Sequence, residues 1–379
     1  MDQKLVLEAV RRYLRAGYAL VGRHSAVEVC RWTKSALKGG HMCYKRWYGV
    51  RSHRCVQMTP VLNFCNFACL FCWRPHVEGR FEIPAGWRWD EPADIVEGAI
   101  YAQRKLLVGF KGNPQTTMER FLEAMHPRHM AISLDGEPAL YPRLAELIRE
   151  VKARGMTAFL VTNGSVPSRL EELIERGAEP TNLYVSVYGP NREVFERSAK
   201  PLTPKAWELV METLDLLPRF STRTIMRLTM VKGLNMVDPE GYAKLIERAQ
   251  PRFVELKGYT WVGESQKRLP IDAMPKLGEL EAFASKITEL TGYRVKVSDE
   301  KSRVVMLVRD EETWEWNLKL IEQQRALEEK LDAEWRKKVG DFKIRNLPPP
   351  PVPVLTPDDL RRLAGAVPQR SHAGENAPF

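Results

Sequence analysis

The chain has 379 residues, 44% hydrophobic and 28% charged, which suits a large buried core in one barrel-sized domain with attachments. It has no run of about 18 apolar residues, and its Met-Asp-Gln-Lys start lacks the charged-then-apolar order of a signal peptide, so a soluble, cytoplasmic protein without a membrane span is expected. The formal charge of +10 is localised, because residues 1–89 carry 15 Lys and Arg against 5 Asp and Glu, and the 43 basic residues beyond them meet 43 acidic ones. Five of the ten tryptophans, Trp32, Trp47, Trp73, Trp87 and Trp89, share that basic segment. Cations among flat aromatic rings suit an RNA backbone with exposed bases; a solubilising basic face over packed aromatics suits the same composition equally well.

In chain order, helical spacing covers 5–15 and then 26–37, where Gly39-Gly40 stops the second helix. Cys30 would then lie on a helix and Cys43 in the segment after it. From Val56 onward, short apolar runs alternate with longer amphipathic ones. Strands are expected over 56–62, 130–134, 158–161, 183–187, 226–231 and 253–257, with helices over 91–107, 141–153, 168–176, 204–217 and 239–249. This alternation calls for a parallel α/β sheet with right-handed crossovers. Six units fall short of the eight in a closed barrel, so a partial (βα)6 TIM-like barrel is expected, with its chemistry at the C-terminal strand ends. Strands over 293–297 and 304–308 and a charged helix over 311–339 follow. The expected divisions are a basic N-terminal helical segment (1–55), a barrel core (56–300), a strand and helix extension (301–346) and a tail (347–379). That tail contains four consecutive prolines at 348–351 and is expected to be extended or disordered.

All six cysteines, Cys30, Cys43, Cys55, Cys65, Cys69 and Cys72, fall in the first fifth of the chain, which is not how a disulfide framework is distributed. Cys65, Cys69 and Cys72 form a C-x-x-x-C-x-x-C pattern in Asn63-Phe-Cys-Asn-Phe-Ala-Cys-Leu-Phe-Cys-Trp-Arg-Pro-His76. A four-iron cluster that only transfers electrons takes one Cys per iron, so a group of three suggests one iron kept for a reactive ligand. A structural zinc held by Cys65, Cys69, Cys72 and His76 is the alternative. Cys30, Cys43 and Cys55 are spaced by 13 and then 12 residues. They allow a second cluster, or they are buried packing residues.

The compact triad resembles that of the radical S-adenosylmethionine enzymes. The resemblance implies that the open iron of a 4Fe-4S cluster chelates the amino and carboxylate groups of S-adenosylmethionine, and that an electron from the cluster cleaves it to a 5′-deoxyadenosyl radical. Phe71, before the last cysteine, would pack on the adenine. Asp135-Gly136-Glu137-Pro138 resembles the Gly-Gly-Glu motif of that family, which binds the methionine amino group, with Gly136 permitting close approach. Thr162-Asn163-Gly164 follows the third expected strand. Ser186 lies in the fourth, where relatives place polar contacts to the methionyl carboxylate or ribose.

Cys43-Tyr44-Lys45, the spread triad and the phrases Arg227-Leu-Thr-Met-Val-Lys-Gly-Leu-Asn-Met236 and Glu255-Leu-Lys-Gly-Tyr-Thr-Trp-Val-Gly263 resemble one branch of these enzymes, the archaeal tRNA 4-demethylwyosine synthases. The resemblance runs from about Cys30 to Gly263; Val187-Tyr-Gly-Pro190 departs from the Asp-Ala-Pro expected there. It implies a lyase that joins 1-methylguanosine, next to the anticodon of tRNA-Phe, with pyruvate. The radical would take hydrogen from the N1-methyl group, and the resulting methylene radical would add to the carbonyl carbon of pyruvate. Loss of the carboxyl carbon and attack by the exocyclic amine would close a third ring. Lys45 would form a Schiff base with pyruvate, helped to its neutral form by burial and by Arg46 and opposed by an anionic cluster. Cys30, Cys43 and Cys55 would hold a second 4Fe-4S cluster with an open iron for pyruvate. An external ferredoxin- or flavodoxin-type electron donor and a monomer are expected. Two other readings remain: a radical enzyme acting on a protein or small molecule, and a zinc-stabilised RNA-binding module without catalysis. The second leaves the six strand–helix units and Gly136-Glu137 unexplained.

Overall fold

The computed structural model describes residues 3–74, 83, 85–339 and 348–359, with the side chains of 3–8 and 338–339 left out. A helix, α1 (Gln3–Arg15), precedes a short hairpin of β1 (Ala19–Val21) and β2 (Ser25–Val27), and α2 (Arg31–Leu37) follows. Then come β3 (Cys55–Thr59), α3 (Pro92–Leu107), α4 (Met118–Met125), β4 (His129–Ile132), α5 (Leu144–Ala153), β5 (Thr157–Thr162), α6 (Pro167–Glu175) and β6 (Asn182–Val187). Helices α7 (Arg192–Ala199) and α8 (Ala206–Leu216) lead to β7 (Arg223–Met230), α9 (Pro239–Ala249) and β8 (Phe253–Gly258). The chain continues through α10 (Leu277–Thr291), β9 (Arg294–Asp299), β10 (Val304–Val308), α11 (Glu311–Val339) and β11 (Val354–Leu355).

Strands β3 to β8 are parallel neighbours in chain order, as a partial (βα)6 barrel requires. β4 and β6 are buried at every position, because a parallel strand is covered on both faces. The edges of the sheet are β11 and β9, and antiparallel pairs flank the parallel core on either side. One sheet therefore runs through all four sequence divisions. Of the Pro-rich tail, 348–359 are described: Val352 is buried beside Gly98 of α3, where a side chain would collide with Val21 and Val352, and β11 pairs with β1. Among the described residues no helix is long and apolar enough to cross a membrane.

The six core strands lie where the sequence puts them, most beginning a residue earlier. The helix expected over 26–37 does not. Ala26 and Val27 belong to β2, and α2 begins only after Cys30, whose extended backbone (φ −64°, ψ 156°) and Sγ cap the helix. Helices α4, α7 and α10 are absent from the expected set, although Leu280, Phe283, Ala284 and Ile287 give α10 a helical period against the sheet.

Helix α11 is tied to the segment leading into β3 by buried charge. The Arg54 side chain has no exposed surface and donates to both Asp332 oxygens at 2.6 and 2.7 Å, while Arg128 donates to Asp332 at 2.9 Å. Arg51 bridges Glu123 at 2.9 Å and Glu328 at 3.0 Å. Burial opposes ionisation of Asp332, but hydrogen bonds from Arg54 and His126 hold its carboxyl well below the usual range. Asp332→Asn leaves buried Arg128 without a charge partner among the described residues and Arg54 with only Glu123 at 4.0 Å, and is expected to destabilise the protein by about 3 kcal/mol in urea unfolding at pH 7. The stability contributed by the depressed carboxyl is full above about pH 4 and is lost as pH falls through its folded value, so the acid loss seen in the wild type should be smaller in this variant. Equal stability at pH 7 would show that α11 is held by apolar packing instead.

Candidate functional site

A cavity of about 660 Å³ runs from the C-terminal ends of the parallel strands to Cys55 at the start of β3. Both cysteine triads, Lys45, Phe71, Gly136, Glu137, Thr162, Asn163 and Ser186 thus share one space. None of the six cysteines forms a disulfide. His76 lies outside the described residues.

The loop carrying Cys65, Cys69 and Cys72 has no helix or strand of its own and is laid along 198–202. Leu202 N donates to Asn66 O at 2.9 Å, Ala68 N to Lys200 O at 3.1 Å, and Leu70 N to Ser198 O at 3.0 Å. Arg268 donates to the carbonyls of Leu70 and Cys72. The Asn66 side chain donates to Ser165 at 2.7 Å and accepts from Asn163 at 2.9 Å, which ties the loop to the end of β5.

Glu137 fastens that strand end to the next. It is buried and accepts from the Thr162 hydroxyl (2.6 Å), Asn163 N (2.7 Å) and Ala139 N (2.9 Å). Burial pushes its carboxyl up to about 7, against the pull of these donors. Thr162 and Asn163, read from the sequence as cofactor contacts, therefore spend side-chain hydrogen bonds on Glu137 and Asn66. Gly136 has φ +71°, and a Cβ there would come within 2.3 Å of Val61 O and 2.4 Å of Phe64 O. The close approach that needs a glycine is to the backbone just before Cys65.

Cys30 caps α2, and Thr33 of that helix donates to Ser52 O at 2.9 Å. Ser52 Oγ receives Cys43 N at 2.8 Å, and Cys55 opens β3 three residues later. Burial pushes the Cys43 thiol up to about 11 and the Cys55 thiol up to about 12, with the Lys45 charge opposing both. Thiolates in such a place need a bound cation, which suits metal ligands. Among the described residues no three His, Cys, Asp or Glu side chains converge on one metal ion. Ligands of a multi-iron cluster each take a different iron and need no such convergence, so the donor set fits a cluster.

Lys45 sits 9% exposed on a 3-10 turn (Tyr44–Tyr48), its Nζ 5.3 Å from the Phe159 ring centroid and 5.2 Å from that of Tyr184. Arg46 is turned to Asp299 at 2.7 Å, beside His41 at 2.9 Å, so its charge is neutralised there. Three cavity residues escaped the sequence reading. Arg227, on β7, pairs with fully buried Glu255 at 2.6 Å and lies 4.5 Å over Tyr184. Its Nε and the Tyr184 hydroxyl are buried and have no hydrogen-bond partner among the described residues. Lys257 donates to Gly258 O and Ser302 O, and burial aided by Arg303 and Arg227 pushes its amine down to about 7. Tyr188 packs on Phe71 with ring centroids 5.0 Å apart. Charged residues inside otherwise apolar strands were the signal for the first two. For Tyr188 it was the departure at 187–190.

Residues 59–246 match the family model of the radical SAM superfamily, and 248–309 match that of wyosine base formation. The chain is 47% identical over 306 residues to the S-adenosyl-L-methionine-dependent tRNA 4-demethylwyosine synthase of Pyrococcus horikoshii, and 48% identical over 306 residues to that of Pyrococcus abyssi. Each match covers 80% of this chain and 89% of the relative. A solved structure of TYW1 with a lysine-pyruvate adduct bound is similar with a TM-score of 0.71 and 32% identity, over 82% of this chain and 97% of the other.

Two glycine substitutions separate backbone strain from collision. Gly233 has the same φ of +71° with nothing within 4 Å of an added Cβ, so Gly233→Ala should cost only about 1–2 kcal/mol. Gly136→Ala should cost clearly more and lower the iron retained by the reconstituted protein, because the 61–64 backbone must move. Equal unfolding midpoints and iron contents for the two variants would contradict this reading.

Proposed function

Because the chain belongs to the tRNA 4-demethylwyosine synthases, a family of radical S-adenosylmethionine enzymes, we propose that it converts 1-methylguanosine beside the anticodon of tRNA-Phe, with pyruvate, to tricyclic 4-demethylwyosine. Retaining two of the three pyruvate carbons breaks a carbon–carbon bond, which makes the enzyme a carbon–carbon lyase. The observation that carries this reading is that two cysteine triads and a buried lysine line one cavity at the strand ends.

Cys65, Cys69 and Cys72 would hold a 4Fe-4S cluster, with S-adenosylmethionine set against Phe71, Gly136, Glu137, Thr162, Asn163 and Ser186. When bound, the two supply one-electron cleavage to a 5′-deoxyadenosyl radical that removes hydrogen from the N1-methyl group. Cys30, Cys43 and Cys55 would hold a second 4Fe-4S cluster. Lys45 attacks the ketone of pyruvate as a neutral amine, and the imine makes the central carbon a better acceptor while fixing its position. Arg227, which lines the same cavity, supplies a positive charge suited to the carboxylate of a keto acid. An external ferredoxin- or flavodoxin-type donor, a monomeric state and a cytoplasmic location complete the proposal.

Two measurements test it. The anaerobically reconstituted protein should contain about eight irons, and Cys43→Ala about four; equal iron in the two proteins would remove the second cluster. Borohydride in the presence of pyruvate should trap an adduct on the peptide containing Lys45. Lys45→Arg keeps the charge but should lose adduct and tricyclic product together. An adduct found on Lys257 instead would reassign the nucleophile, and full product formation by Lys45→Arg would remove the imine from the reaction.

A further inference from the structure

The tryptophans of the basic segment divide into two sets. Trp47 is buried, and Trp87 and Trp89 meet Phe64, His24 and Tyr141 edge-on, so these three serve the core. Trp32 and Trp73 line the cavity instead. Trp73 is 43% exposed. The Arg74 guanidinium lies 3.4 Å from its ring centroid and is itself fixed by Glu28 at 2.7 Å and the Tyr18 hydroxyl at 2.6 Å. Behind Trp73, its carbonyl accepts from Glu264 N at 3.1 Å. Trp32 has the Arg31 guanidinium 4.7 Å from its ring centroid and His41, itself bonded to Asp299 at 2.9 Å, edge-on at 5.1 Å. Each ring thus has a guanidinium beside it at the edge of the cavity.

Their positions along the chain tie them to the two triads. Trp32 stands two residues after Cys30, and Trp73 directly follows Cys72. Arg31, Lys34, Lys301 and Arg303 line the same cavity, and among the described residues none of them is in an ion pair. Burial and the nearby Arg31 charge both push the Arg303 guanidinium down, which marks a place short of anions. An acidic peptide would satisfy the cations but has no use for two prepared aromatic faces. A nucleotide strand uses both.

We propose that Trp32 and Trp73 are stacking platforms for the nucleotides on either side of the reacting guanine in a single-stranded RNA loop, with Arg31, Lys34, Lys301 and Arg303 taking the phosphates between them. This rests on the tRNA reading above and names the contacts it needs. The N1-methyl group sits on the Watson–Crick edge, so the guanine must turn out of its stack to reach the cavity. Its two neighbours then lose a stacking partner, and an indole face replaces it for any base. A duplex cannot use the platforms.

The test is an anaerobic titration of the holoenzyme with an anticodon stem-loop RNA carrying 1-methylguanosine, read by tryptophan fluorescence and by complex retention. Trp73→Ala and Trp32→Ala should each weaken binding about tenfold, and Trp73→Phe and Trp32→Phe should recover most of the affinity. The slope of log affinity against log salt should stay at the wild-type value in these variants. It should fall by about one for Lys301→Ala, which removes a phosphate contact. Alanine variants that bind within about twofold of wild type would overturn the platforms, as would a duplex of the same sequence binding as tightly as the loop. If the wild type converts the stem-loop while the alanine variants bind it normally, the reaction stands and the platforms fall. If the wild type neither binds nor converts it, the substrate reading fails.

Discussion

Glu137, buried at the end of β4, takes hydrogen bonds from the Thr162 hydroxyl and the Asn163 amide at the end of β5, and Asn163 in turn holds Asn66 inside the cysteine loop. Loops without a helix or strand of their own, like the one carrying Cys65, Cys69 and Cys72, do not fix their shape from within. Their shape has to be lent by neighbours. The Glu137 chain lends it from below, the 198–202 strip from one side and Arg268 from another. Gly136 closes the arrangement, since only a residue without Cβ lets the β4 loop lie against the Val61 and Phe64 carbonyls. The expected cofactor motif is therefore also a packing joint. The order of the cysteine loop and the order of the strand ends are one property.

The second triad depends on a different joint. Cys30, Cys43 and Cys55 come from a helix cap, a 3-10 turn and the first residue of β3, and Ser52 ties the first two through its carbonyl and hydroxyl. Ser52 lies between Arg51 and Arg54, which are anchored to Glu123, Glu328 and Asp332. Helix α11, far away in sequence, thus sets the floor under the spread triad and under Lys45. Charge is used as a clamp at the bottom of the barrel, whereas Arg31, Lys34, Lys301 and Arg303 along the cavity are in no ion pair among the described residues.

Much of this was legible in the sequence because it is local. The C-x-x-x-C-x-x-C run, the Asp135-Gly136-Glu137 turn and Lys45 beside Cys43 are read within a few residues, and the alternation of apolar runs gives the six parallel strands. What escaped depends on tertiary context. Ala26 and Val27 fit a helical period but are claimed by a strand, because the neighbouring edge of β3 offers backbone partners. Arg46 stands next to Lys45 in sequence yet is drawn away by Asp299, more than 250 residues on. Arg227 and Lys257 stand out as charges inside apolar strands, but only the sheet shows that both face the cavity. Trp32 and Trp73 cannot be told from Trp47, Trp87 and Trp89 by composition, because only packing decides which indoles remain at the rim.

The central claim is that one cavity brings a hydrogen-abstracting centre and a lysine-bound keto acid to the same RNA base. The most direct measurement is anaerobic incubation of the reconstituted protein with 1-methylguanosine tRNA-Phe, S-adenosylmethionine, a reductant and carbon-13-labelled pyruvate, followed by mass analysis of the nucleosides. The account predicts a tricyclic base carrying two labelled carbons, formed together with 5′-deoxyadenosine. Formation of 5′-deoxyadenosine while the base stays 1-methylguanosine and all label stays in pyruvate would contradict it.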